Sequence, residues 1–170
     1  DWLLRMSNLE LIRSQALSST SLADRVEAEC LLEPQVDCPV VHHFGPGIYV
    51  REVFMPAGTL VVGHCHKLAH LNVFLSGSLA LLDDAGGFKV LHAPFLFVSP
   101  PGRKMAWTIT DCVWQNVVAT EETDIDALEL LMFDKSAVFT LSEQQAKAAK
   151  AASQSEDNAV QSPHSDEVSP

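Results

Sequence analysis

The chemistry of this chain is concentrated in one short run: Gly58, five residues, His64-Cys65-His66, three residues, His70, six residues, Gly77. Neutral imidazole nitrogens ligate borderline transition metals. Three of them aimed at one point make a candidate site for iron, manganese, nickel, copper or zinc, with positions left open for substrate or water. Side chains alternate along an extended strand, so His64 and His66 share a face with Leu60 and Val62 while Cys65 points the other way. His70 can reach the same cavity from the start of the following strand. The bland alternative for the trio is a hydrogen-bonded polar patch inside a barrel, without metal.

Other reactive side chains give weaker signals. His42 and His43 are adjacent and precede Gly45-Pro46-Gly47, so on an extended backbone they face opposite ways and suit a turn or an interface better than one site. His92 and His164 read as loop or surface residues, and Cys65 as a packed thiol. No Ser-His-Asp or Cys-His arrangement can be drawn from the spacing, and Gly86-Gly87 supplies turn conformations.

The elements that must position the histidines are short. From Val36 to about Ala119, β-branched and aromatic runs alternate with Gly, Pro and Asp, giving candidate strands over 48–55, 59–66, 71–75, 79–82, 88–92, 95–98, 106–110 and 113–119. Many short strands at close spacing predict a sandwich or barrel. The turns between them are Pro56-Ala57-Gly58, Asp83 to Gly87 and Ser99-Pro100-Pro101-Gly102. Before this region, Leu9, Leu11, Ile12 and Leu17 recur at helical spacing, and Ser21 to Asp24 form a capping box that opens a second helix through Cys30. After it, Thr123 to Asp126 cap a short helix that packs Leu128, Leu131 and Met132 on a sheet. A further cap at Ser142 to Gln145 opens the Ala-rich stretch 144–152. From Ser153 the composition turns to Ser, Gln, Asp, Glu and Pro, which cannot bury enough apolar surface to order itself.

The histidine run resembles the first motif of the cupin superfamily, small jelly-roll β-barrels. That motif reads Gly, five residues, His-x-His, three or four residues, Glu, six residues, Gly. Every spacing is matched, with His70 standing where the family has Glu. The resemblance implies metal ligation by His64 and His66, with His70 as a changed third ligand. The family's second motif, laid on this chain, gives Pro94, Pro100-Pro101-Gly102, Met105 and Ile109. The turn is present, but Met105 and Ile109 replace the metal-binding His and the Asn, and Met105 reads as packing at the barrel mouth. The stretches 37–52, 66–72 and 121–126, with Arg103-Lys104 after the turn, are similar to small cupins encoded by tailed phages. The fold implied is mainly β: one cupin-type jelly-roll barrel over 36–135, an N-terminal helical extension over 1–35, and a helical then acidic low-complexity tail over 136–170.

Composition bounds the rest. The chain has 170 residues, 47% hydrophobic and 19% charged, enough for one well-filled core. Its formal charge of −11 and the lack of a basic stripe exclude a nucleic-acid partner, and no apolar run is long enough to predict a membrane span. Asp1 to Met6 lack the basic-then-apolar pattern of a secretory signal, and Met6 is a candidate start. Cys30, Cys38, Cys65 and Cys112 form no C-x-x-C pair and are expected as reduced thiols. The resemblance and the helical additions together imply a non-catalytic structural or accessory phage protein, such as a virion decoration or adaptor component. It would be a homo-oligomer, with other phage structural proteins as partners, in the virion or the host cytoplasm. The alternative is a metal-dependent small-molecule enzyme or binding protein of dioxygenase, isomerase or lyase type. That reading would use His64, His66 and His70, with Asn72 and Trp107 lining the pocket.

Overall fold

Alternation of inward apolar and outward polar residues builds two antiparallel sheets. In the computed structural model, which describes residues 21–82 and 87–160, with side chains as far as Ala152, the strands are β1 (Val40–Gly45), β2 (Ile48–Met55), β3 (Leu60–Val62), β4 (Cys65–His66), β5 (His70–Ser76), β6 (Ser78–Leu82), β7 (Phe88–His92), β8 (Phe95–Ser99), β9 (Met105–Thr108), β10 (Cys112–Ala119) and β11 (Phe133–Asp134). A five-stranded sheet runs β1-β2-β10-β5-β8, a four-stranded sheet runs β3-β9-β6-β7, and β4 pairs with β11. The core lies between the two larger sheets: Met55, Phe74, Cys112 and Trp114 from the first meet Leu79, Leu91 and Ala106 from the second. Burial of this apolar interface, worth roughly 25 cal/mol per Å², drives the closure. The fold is mainly β, a jelly-roll barrel with helices on either side of it in sequence.

Gly77 makes the tight link between β5 and β6. Its φ is +97°, and a Cβ there would lie 2.3 Å from the Asp111 carbonyl oxygen and 2.8 Å from Cys112 Sγ. Only glycine combines that backbone conformation with such a close approach.

The helices among the described residues are α1 (Leu22–Cys30), α2 (Ile125–Met132) and α3 (Ala137–Val160). Ser21 caps α1 by accepting from Asp24 N, and Asp124 caps α2 by accepting from Ala127 N at 2.8 Å. Leu128 and Met132 of α2 pack with Tyr49 and Val118 of the five-stranded sheet, while Leu131 is exposed. Ala28 of α1 packs against Val138 of α3, so the two helical additions meet each other.

Several sequence-based expectations are corrected. His42 and His43 belong to β1, an edge strand of the barrel, where His42 Nδ1 lies 2.6 Å from the Tyr49 hydroxyl. The run 59–66 is two strands, interrupted at Gly63-His64. Helix α3 starts at Ala137, with Ser136 Oγ accepting from Phe139 N at 3.0 Å, so Ser136 and not Ser142 is its cap. The helix continues past Ser153 to Val160, extending a ladder already nucleated upstream by the Ala-rich stretch. The helix expected around Leu9 to Leu17 and the end of the tail lie outside the described residues.

Candidate functional site: a cationic pocket in the barrel

Register places the polar floor of the site. Arg51 of β2 pairs with Asn116 of β10, which pairs with Asn72 of β5, so the three form a row across the inner face of the five-stranded sheet. Asn72 is fully buried and holds that row together. Its amide nitrogen donates to Ser99 Oγ at 2.9 Å, and its oxygen accepts from Asn116 at 3.0 Å and from the Trp114 indole at 3.2 Å. A buried amide satisfied at both ends is rigid, because moving it would strand several polar groups in an apolar interior.

The histidines face this row. The backbone of His66 is pinned on one side by Gly102, in reciprocal N–H to O bonds of 2.8 and 2.9 Å, and on the other by Phe133 of β11. The turn Ser99 to Gly102 therefore serves here to fix His66. The His66 and His70 rings stack with centroids 3.8 Å apart and planes 14° apart. His64 stands edge-on to Phe133 and Phe139, with ring centroids at 5.8 and 4.5 Å. Its Nδ1 is buried and has no hydrogen-bond partner among the described residues.

These side chains border a cavity of about 260 Å³. His64 and His66 line it with Arg51, Lys104, Asn72 and Asn116, and its apolar wall includes Val53, Val61, Leu81, Met105 and Trp114. Phe133 and Phe139, from the segment after the barrel strands, border it as well. That segment is locked by Glu27, whose carboxylate accepts from Ser136 Oγ and pairs with Arg103, both at 2.5 Å. Arg103 also pairs with Asp24, so α1 is tied to the turn that holds His66.

Among the described residues, no acidic side chain lines the cavity. Arg51 is packed over the Phe133 ring at 5.6 Å and forms no ion pair among the described residues. Glu129 acts on Arg51 through space but is itself paired with Lys135 at 3.0 Å. Lys104 comes from the opposite sheet, just before β9, and its ammonium lies 3.4 Å from His70 Nε2. Burial lowers the pKa of Arg51 and of Lys104, the cost of desolvating cations. Burial, and then the charges of His70, Lys104, Arg51 and His64, push His66 down to about 3. Burial also lowers His64 and His70. The imidazoles are therefore neutral at physiological pH, in a field that is positive.

Of the residues expected from sequence, His64 and His66 reach the cavity, while His70 lies behind His66 and does not line it. Asn72 is in the wall as expected. Trp107 is not: it faces out from β9 at 46% exposure, and Trp114 takes the place expected for it. Leu60 is also turned outward, because the break at Gly63-His64 shifts the inward phase from Val61 to His64 and His66. Sequence reasoning misses Arg51 and Lys104. A cation at an inward position of an alternating strand, as in Tyr49-Val50-Arg51-Glu52-Val53, is the signal that could have found Arg51.

The donor set does not suit a divalent metal. His70 Nδ1 is 3.0 Å from the Leu68 carbonyl, which can only accept, so Nδ1 carries the proton and Nε2 takes the Lys104 ammonium. The lone pair that a metal would use is thus directed at a cation. Among the described residues, no group of three or more His, Cys, Asp or Glu is arranged to hold a metal ion.

No family model and no curated protein matches this chain. Solved structures similar to it include a cupin superfamily protein from Desulfitobacterium hafniense, with TM-score 0.41 and 10% identity over 52% of this chain and 83% of that one. A protein with a double-stranded β-helix domain from Klebsiella pneumoniae has TM-score 0.44 and 15% identity over 56% and 84%. A cupin domain from Bordetella pertussis has TM-score 0.42 and 17% identity over 52% and 98%.

Proposed function

We propose that this chain is a binding protein that takes a small organic molecule into its barrel. The observation that carries this reading is the cavity of about 260 Å³, apolar on most of its wall and polar at one end, where an ordered asparagine row faces two imidazoles. Concave, mainly apolar pockets with a few convergent polar groups are what small ligands bind. At interior packing density such a volume holds roughly ten non-hydrogen atoms. The test is thermal shift of the purified chain against small compounds of that size, with Ala106→Leu and Leu81→Phe as variants that fill the cavity. Stabilisation of the wild type by some compounds, lost in both variants, supports the reading. Responses that persist unchanged in the filled variants overturn it.

A second reading, an accessory component of a phage particle or another assembly, is favoured by the outer edge of the five-stranded sheet. Strand β8 has one strand neighbour among the described residues, and it exposes Leu96 at 58% and Val98 at 70%. An apolar edge strand is a surface that proteins normally cover. The phage origin itself stands on sequence resemblance, and association with purified particles is the measurement that tests it.

A further inference from the structure

Resting on the binding reading above, we infer that the pocket selects an organic monocarboxylate with an apolar body, its carboxylate seated between Arg51 and Lys104. The two cations come from opposite sheets, Arg51 from the asparagine row and Lys104 from the approach to β9, and both border the same cavity. Among the described residues, neither is matched by a lining carboxylate. A half-buried cation without a counter-charge is costly, and a bound anion offsets that cost. The guanidinium offers a planar fork that fits a carboxylate with two hydrogen bonds, and the ammonium adds a point charge from the other side.

The orphaned Nδ1 of His64 is an independent indication: a neutral imidazole can donate there to an oxygen that the described residues do not supply. The remaining wall, with Val53, Val61, Leu81 and Trp114, has nothing to offer a second charge. That argues for one anionic group on an apolar body, and against polyanions. The same cations explain why the imidazoles are poor metal ligands here.

Isothermal titration with benzoate and hexanoate, and with benzamide and hexanamide as neutral isosteres, tests this on the full chain. The acids should bind at least about tenfold more tightly than their amides, a preference the size of one charge-assisted interaction. Arg51→Met and Lys104→Met should each abolish most of that preference, read as the ratio of acid to amide affinity within each variant, and Arg51→Lys should retain part of it. Equal affinity of acid and amide for the wild type would overturn the carboxylate assignment and leave the binding reading standing. Binding of neither, together with no thermal shift from any compound, would remove both. If Arg51→Met fails to fold, the wild-type comparison and Lys104→Met still decide.

Discussion

His66 and His70 lie ring on ring, 3.8 Å between centroids and 14° between planes, with the Lys104 ammonium at the outer nitrogen of His70. Two stacked neutral imidazoles beside a cation form a hydrogen-bonding and packing unit. His70 turns its acceptor nitrogen to Lys104, and His66 turns toward the cavity.

This arrangement has a pH signature. In the unfolded chain His66 has its ordinary value of 6.5, and in the folded barrel burial and the surrounding positive charge hold it at about 3. Between those values the unfolded chain binds a proton that the folded chain refuses, so stability rises with pH through the window. It is complete above the unfolded value and is lost as pH falls toward 3. His64 and His70 are lowered as well and contribute with the same sign. The melting temperature should fall between about pH 7 and about pH 5, with a shallower slope for His66→Asn. Parallel slopes for the two proteins would show that His66 does not carry the effect.

Metal content separates the two accounts of the histidines. With Lys104 on His70, the protein as purified should carry well under about one equivalent of transition metal, and Lys104→Met should bind zinc more tightly than wild type. Elemental analysis and competition with a chromophoric chelator give both numbers. A full equivalent that disappears in His66→Ala and in His70→Ala would instead restore the three-histidine metal site.

The Glu27–Arg103 pair is buried, with side-chain exposures of 5% for Glu27 and 10% for Arg103, and Ser136 completes it. Arg103→Ala leaves Glu27 with only the Ser136 hydroxyl and should cost about 3–5 kcal/mol, while Glu27→Ala leaves Arg103 its pair with Asp24 and should cost less. The double replacement Glu27→Leu with Arg103→Met should cost clearly less than the sum of the single changes. Urea denaturation of the full set reads this coupling, and additive losses would argue against a coupled latch.

For the β8 edge, Leu96→Lys and Val98→Lys should convert an oligomer to a monomer in light scattering without loss of melting temperature. An unchanged mass would mean that this face carries no subunit contact.

The barrel is legible in the sequence because it follows from alternation and turn residues: β2 and β7 fall on their expected bounds, and most of the other strands lie within a residue or two of theirs. Ser21 is readable as a cap from local chemistry alone, and the box Thr123 to Asp126 locates the start of α2, although its cap is Asp124, one residue beyond Thr123. The site is legible only in part. His64 and His66 follow from spacing, but whether His70 joins them depends on where Lys104 reaches from the other sheet, and periodicity says nothing about that. Strand β1 escapes a reading by pattern because Val40 to Gly45 is half polar and gains its place through pairing with β2. The two-residue strand β11 exists only because it pairs with β4. Trp107 is misplaced for a similar reason: adjacent strand positions differ by a full reversal of face, so a one-residue error in phase inverts the assignment.

The lock on Glu27 also sets an order of events during synthesis. A chain emerging from the ribosome through Ala119 has every strand of the two large sheets, yet lacks Phe133, Ser136 and Phe139. At that stage His64 and His66 lack the phenyl rings that stand against them, and Glu27, already made, has only one of its two partners. The wall of the pocket is thus completed by residues made after every strand of the two large sheets. A truncation before Phe133 would remove two rings from the cavity wall and the Ser136 partner of Glu27 together.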